Sequence, residues 1–196
     1  MQTDFLSAKY WNERYIKGEF GWDVGYITTP IKEYIDSLPD KKIAILIPGC
    51  GNSYEAAYLI EQGFTNVTVI DIAETPINKL KKQFQNNQHL HIFQQDFFSF
   101  SGAFDLILEQ TFFCALHPSL RLAYAKKMFA LLKENGKLAG VLFSSQFEKE
   151  GPPFGGTKEE YEKLFSEHFK IKILEHCFNS IEPRKGNELF ICLEKK

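Results

Sequence analysis

Apolar and polar positions along this chain fall into blocks whose period changes back and forth. Residues 43–47 (IAILI) form a continuous apolar run, as do residues 67–70 (VTVI) and much of 137–143 (KLAGVLF). Runs of this length suit strands buried on both faces of a parallel sheet. Shorter runs at 90–93 and 104–108 (FDLIL) read the same way. Between them lie stretches of helical spacing at 9–17, 30–38, 54–62, 73–84 and 118–132. Thr29 and Pro30 supply a cap and a first turn for the second of these, Gly63 closes the third, and Asn135-Gly136 ends the last. After them comes a helix at 157–165, then strands at 171–178 and 188–193 joined by residues 179–186. That pair predicts a terminal hairpin whose last strand runs antiparallel. The β-α-β-α order predicts an α/β fold: a doubly wound, Rossmann-like, seven-stranded sheet, mostly parallel, in three layers α/β/α. One domain over residues 1–196 accommodates all of it.

Composition narrows the partners. The formal charge is −2 and no basic stripe stands out, which argues against nucleic acid. Lys79, Lys81 and Lys82 read as the solvated face of a helix. The first ten residues lack a charged start and an apolar centre, so they do not read as a signal peptide, and no apolar run is long enough to span a membrane. Cys50, Cys114, Cys177 and Cys192 form no CxxC pair, so neither a metal site nor a disulfide framework is expected. A cytoplasmic protein, monomeric or weakly dimeric, is the simplest expectation. The 19 phenylalanines exceed what a core of this size demands and leave material for an aromatic pocket.

Doubly wound sheets bind ligands beyond the carboxyl ends of their strands. The turn Pro48-Gly49-Cys50-Gly51-Asn52-Ser53 stands there, with Gly49 and Gly51 free to turn tightly. Asp71 ends the next strand, where a carboxylate can accept both ribose hydroxyls of an adenosine cofactor. A plain Gly-rich turn with a capping Asp is the alternative. The third glycine of the dinucleotide fingerprint is missing, since Ser53 and Tyr54 stand near its place, which weakens a nicotinamide oxidoreductase. Gln95-Asp96-Phe97-Phe98 follows the third strand, where Asp96 can accept from an adenine amino group; a turn cap is the plainer role.

With these residues in place the chain resembles the thiopurine methyltransferase superfamily, and within it the branch of plant halide/thiol methyltransferases. The resemblance runs through Trp11-Asn12-Glu13-Arg14-Tyr15, Gly21-Trp22-Asp23-Val24-Gly25, Pro48-Gly49-Cys50-Gly51, Val69-Ile70-Asp71-Ile72, Gln95-Asp96-Phe97-Phe98, Thr111-Phe112-Phe113-Cys114-Ala115, Gly151-Pro152-Pro153-Phe154 and Pro183-Arg184-Lys185-Gly186. It implies S-adenosylmethionine as cofactor and an N-terminal aromatic lid over residues 1–28. By the same resemblance Trp11, Tyr15 and Trp22 close over the cofactor, and Gly49, Cys50 and Gly51 line its methionine portion. Asp71 and the adjoining Ile72 hold the ribose, Asp96 and Phe97 frame the adenine, and Glu109 and Gln110 lie beside the methyl region.

The implied reaction moves a methyl group to a small soft nucleophile: a thiol, hydrosulfide, thiopurine-like compound, thiocyanate or halide. It needs alignment and a dry pocket rather than a metal. A thiol acceptor must ionise, so the cations Arg184 and Lys185 are candidates for the acceptor side, with a solvated loop as the alternative. Phe154 is a candidate wall for that pocket, as are Phe112 and Phe113, for which core packing competes. His117 reads as a helix cap before it reads as a base. The plant branch carries tyrosine where Phe154 and Gln110 stand, which argues against halide here. A non-catalytic binder of the same cofactor is the alternative to an enzyme.

Overall fold

The computed structural model describes residues 6–145, 147 and 151–196. Its strands are β1 (Ile45–Pro48), β2 (Val67–Asp71), β3 (Leu90–Gln94), β4 (Phe104–Gln110), β5 (Leu132–Phe143), β6 (Phe169–His176) and β7 (Glu188–Lys195). Its helices are α1 (Ala8–Lys17), α2 (Thr29–Asp36), α3 (Tyr54–Glu61), α4 (Glu74–Gln83), α5 (Arg121–Leu131) and α6 (Lys158–Ser166). The seven strands make one sheet in the order β3-β2-β1-β4-β5-β7-β6. The first five are mutually parallel, and β7 runs antiparallel to both β5 and β6.

The strand sequences explain the layers. On β1, Ile45 and Ile47 face one side and Leu46 the other, as the two-residue period requires. The first side packs on Ile31 and Ile35 of α2, Ala56 and Leu59 of α3, and Ile77 and Leu80 of α4. The second packs on Tyr124 and Met128 of α5, Tyr161 and Phe165 of α6, and Phe97 and Phe100. Continuous apolar runs are therefore the signature of strands with helices on both faces.

Two expected boundaries move. The fifth helix divides into a 3-10 turn, Pro118–Leu120, and α5. It ends at Leu131, one residue before the expected 132, and the expected stop at Asn135-Gly136 falls inside β5, which Leu132 already starts, with Asn135 at φ 60°. Thr28, not Thr29, stands at the N-cap of α2. No helix covers β2 and β3 on the second side. A hollow of about 440 Å3 opens there, lined by Thr68, His91, Phe93, Phe100 and Phe104. It lies over the sheet face and takes no part in the Gly-rich turn. Among the described residues no helix is long and apolar enough to cross a membrane, and no His, Cys, Asp and Glu cluster could hold a metal.

Candidate functional site

The turn after β1 is built for close approach. Gly49, Gly51 and Ser53 all have positive φ, at 57°, 50° and 51°. A Cβ on Gly49 would meet the Phe112 ring at 2.2 Å, and one on Gly51 would meet the Tyr15 phenol oxygen at 2.6 Å. Only glycine admits these neighbours. Asp71 ties the turn to β2: its Oδ2 accepts from the Gly51 amide at 2.9 Å and its Oδ1 from the Ala73 amide at 2.8 Å. Burial pushes the Asp71 carboxyl above its usual range, while amides of Ala73, Gly51 and Ile72 pull the other way. Its oxygens retain lone pairs beyond these bonds. Cys50 is buried in the same turn, and its thiol is pushed far up by burial and by the neighbouring Asp71.

An aromatic segment covers this edge. Ser7 caps α1 by accepting from the Tyr10 amide, and Gly18 ends the helix in the left-handed region at φ 72°. Trp22 then packs against α1, its ring centre 5.5 Å from Trp11, 5.8 Å from Tyr15 and 6.4 Å from Phe20. Burial, then the charge of Asp71, drives the Tyr15 phenol well above its ordinary range, so it stays a neutral donor.

Four polar anchors fasten the segment. Asn12 accepts from the Thr75 amide at 2.8 Å, and Asp23 accepts from Asn52 and from Tyr54. The Trp22 carbonyl accepts from Arg184 Nη2 at 2.7 Å, and Thr28 donates to Gln110 at 2.9 Å. The lid thereby touches α4, the turn, the loop before β7 and the end of β4.

Beyond β4 the backbone is strained. Thr111, a β-branched residue, holds φ 59°. Glu109 makes this turn possible: its Oε1 accepts from the Phe112 and Phe113 amides at 2.8 and 2.9 Å, and its Oε2 from the Tyr124 hydroxyl at 2.5 Å. Complete burial pushes its pKa up to about 7 against these three donors. The strand period puts Gln110 on the opposite side, toward the lid, with its Nε2 enclosed and unpartnered.

The expected acceptor residues separate. Arg184 is 7% exposed, with Nη1 3.6 Å from the buried Glu188 carboxylate. Burial lifts the Glu188 carboxyl and takes that of Glu55 to about 7; the Arg184 charge pulls both down. Lys185 does not join them. Its side chain is 64% exposed and pairs with Glu182 at 3.0 Å on the surface, because the 3-10 turn at Glu182–Arg184 sends successive residues apart. Phe154 is half-buried, its amide donating to the Cys114 carbonyl at 2.7 Å. Its ring meets that of His117, which caps its own turn by accepting from Ser119.

Other expected residues serve the architecture. Phe113 is core, against Tyr124 and Tyr161. Phe97 is 4% exposed, its ring 5.0 Å from Phe112 and 5.8 Å from Tyr124. Asp96 is exposed and caps the next turn through the Ser99 amide. Glu109 is spent on the turn rather than displayed beside it. The anchors Asn12, Asp23, Asn52, Thr28 and Tyr124 had no local sequence signal.

These features fit an adenosyl sulfonium. A turn held tight by two glycines, a carboxylate with spare lone pairs, and a cluster of four rings that attract cations all stand on one edge. The comparisons agree. The family profile described as thiopurine S-methyltransferase matches residues 6–194. A probable thiol methyltransferase 2 of Arabidopsis thaliana is 33% identical over 93% of this chain and 83% of its own. A thiocyanate methyltransferase 1 of Brassica oleracea is 30% identical over 91% of this chain and 81% of its own. Among solved structures, 1,6-didemethyltoxoflavin-N1-methyltransferase of Burkholderia thailandensis, bound to S-adenosylhomocysteine, superposes with a TM-score of 0.77 at 20% identity, covering 96% of this chain and 87% of that one. The chain belongs to the thiopurine S-methyltransferase family and uses S-adenosylmethionine as its methyl donor.

Proposed function

We propose that this protein methylates a small, soft sulfur nucleophile that enters as an anion. The observation that carries the reading is the buried Arg184 guanidinium held beneath the lid by the Trp22 carbonyl. Relatives named for thiol and thiocyanate methyl transfer support the sulfur class. Bound cofactor supplies a sulfonium methyl, displaced in one step with the electron pair leaving on the departing sulfur.

The chain's own residues hold and exclude. Asp71 would accept from the ribose with its remaining lone pairs, beside Ile72. Gly49, Cys50 and Gly51 would line the methionine portion, and Asp96 and Phe97 would border the base. Trp11, Tyr15 and Trp22 would close over the sulfonium and keep water out, which favours a reaction that destroys charge. Arg184 would favour thiolate over thiol, because a nearby cation lowers a thiol pKa. Phe154, with Phe112, would wall the acceptor side. No described group is placed as a general base, and an acceptor that arrives ionised needs none.

The test is labelled S-adenosylmethionine at saturation with thiols, hydrosulfide, thiocyanate and halides. Methylated sulfur products are expected, with sulfur acceptors ahead of halides. Tight binding of S-adenosylhomocysteine with no product from any acceptor would instead make the protein a binder.

A further inference from the structure

Thr28 and Gln110 break two local rules at a single contact. Thr28 stands at the N-cap of α2 with extended backbone, yet its side chain makes no cap bond. A threonine there ordinarily contributes about 1 kcal/mol to the helix through that bond. Instead the hydroxyl, on a residue 3% exposed, donates to Gln110 Oε1 at 2.9 Å. The bond pairs one half of the amide. The other half of the amide, Nε2, is then enclosed without a partner among the described residues. An enclosed, unpaired donor is costly, since its hydration is lost with no bond in return. Two sacrifices at one contact are explained together if the amide is being aimed.

The direction of aim follows from β4. Leu106, Leu108 and Gln110 share one side of the strand, the side of α2 and the lid, while Glu109 faces the other. Arg184 stands in the same region: its Nη2 donates to the Trp22 carbonyl, and its Nη1 pairs with the buried Glu188 carboxylate at 3.6 Å. In each residue one polar atom is fixed by the N-terminal segment.

We infer that Gln110 Nε2 selects the methyl acceptor, as a donor to a second atom of that molecule rather than to its sulfur. The acceptor class is then a sulfur nucleophile carrying a hydrogen-bond-accepting atom close by, such as the carboxylate of a mercapto acid or the nitrogen of thiocyanate, in preference to bare hydrosulfide. A bond to the second atom leaves the sulfur lone pair free for the methyl carbon. A bare nucleophile leaves the amide unpaired, and recognition of this kind discriminates strongly. The inference rests on the sulfur methylation proposed above.

The test is the ratio of kcat/KM for mercaptoacetate to that for hydrosulfide, with thiocyanate as a third acceptor, in wild-type protein and in Gln110→Met, Gln110→Glu, Thr28→Val and Thr28→Ser. Binding of S-adenosylhomocysteine is measured by calorimetry on each. The ratio should fall about tenfold or more in Gln110→Met. It should fall further in Gln110→Glu, which places an acceptor where the donor was, less in Thr28→Val, and recover in Thr28→Ser. Equal losses on every acceptor, leaving the ratio intact, would return Gln110 to packing. An intact ratio with weakened S-adenosylhomocysteine binding would give the donor to the cofactor and overturn the inference. Tolerance of Gln110→Glu would mean that the free half of the amide is oxygen, which also overturns it. A wild-type protein that methylates none of the three sinks the sulfur reading itself, a result distinct from an intact ratio.

Discussion

Glu109 and Gln110 are adjacent in sequence, end the same strand and are treated in opposite ways. Beneath the turn on one side of the sheet, Glu109 receives three hydrogen bonds, each from this chain. Beneath the lid on the other side, Gln110 receives one from Thr28 and leaves a donor over. The first region is internally complete and behaves as architecture: it fixes a strained Thr111 and the Phe112 ring that lies on Gly49. The second holds an amide N–H with no partner among the described residues. Polar groups on the two sides of one sheet edge thus differ in how far this chain satisfies them.

The contrast is broken most directly by removing the acid. Glu109→Ala orphans the Phe112 and Phe113 amides and the Tyr124 hydroxyl. A loss of about 3 kcal/mol in urea unfolding is expected, whereas Gln110→Met should stay within about 1 kcal/mol of wild type. Equal stabilities would erase the distinction.

The buried acids also set a pH dependence. Glu109 and Glu55 have folded pKa values raised to about 7, above the unfolded value of roughly 4.3. The folded state therefore holds these protons more tightly. Their stabilising contribution is complete below the unfolded pKa and is lost as pH rises through about 7. Stability should fall between about pH 5 and pH 8 by roughly 1–3 kcal/mol, a few degrees in Tm. A Tm that stays level over that interval would mean both carboxyls ionise as freely inside as outside. The smallest effect is expected at Lys185. Paired with Glu182 in solvent, Lys185→Ala should alter stability by less than about 0.5 kcal/mol and leave acceptor kcat/KM in place. A tenfold kinetic loss would restore it to the acceptor side.

The sheet was legible in the chain because β1 and β2 are buried along their whole length and so leave apolar runs. β5 was only half legible: after Leu132, which pairs with Phe104, the residues Lys133-Glu134-Asn135-Gly136 are polar or turn-forming and fall in a register shift before Lys137 pairs with Leu106. At the site, Gly49, Gly51 and Asp71 could be placed because backbone freedom and a strand-end acid are properties of single positions. Depth could not be placed. Asp96 and Glu109 both follow or end strands, yet one lies in solvent and the other is wholly enclosed. Nor could partners be placed: Thr28 finds Gln110 across 82 positions and Trp22 finds Arg184 across 162. Such contacts are products of the finished fold, and no local spacing encodes them.

The two tryptophans of this chain both belong to the lid, packed edge to face. The molecule therefore carries a built-in optical reporter. Its indole emission comes from the N-terminal segment alone, so any change in the surroundings of that segment on cofactor binding can be read in unlabelled protein, in real time and without a chemical probe.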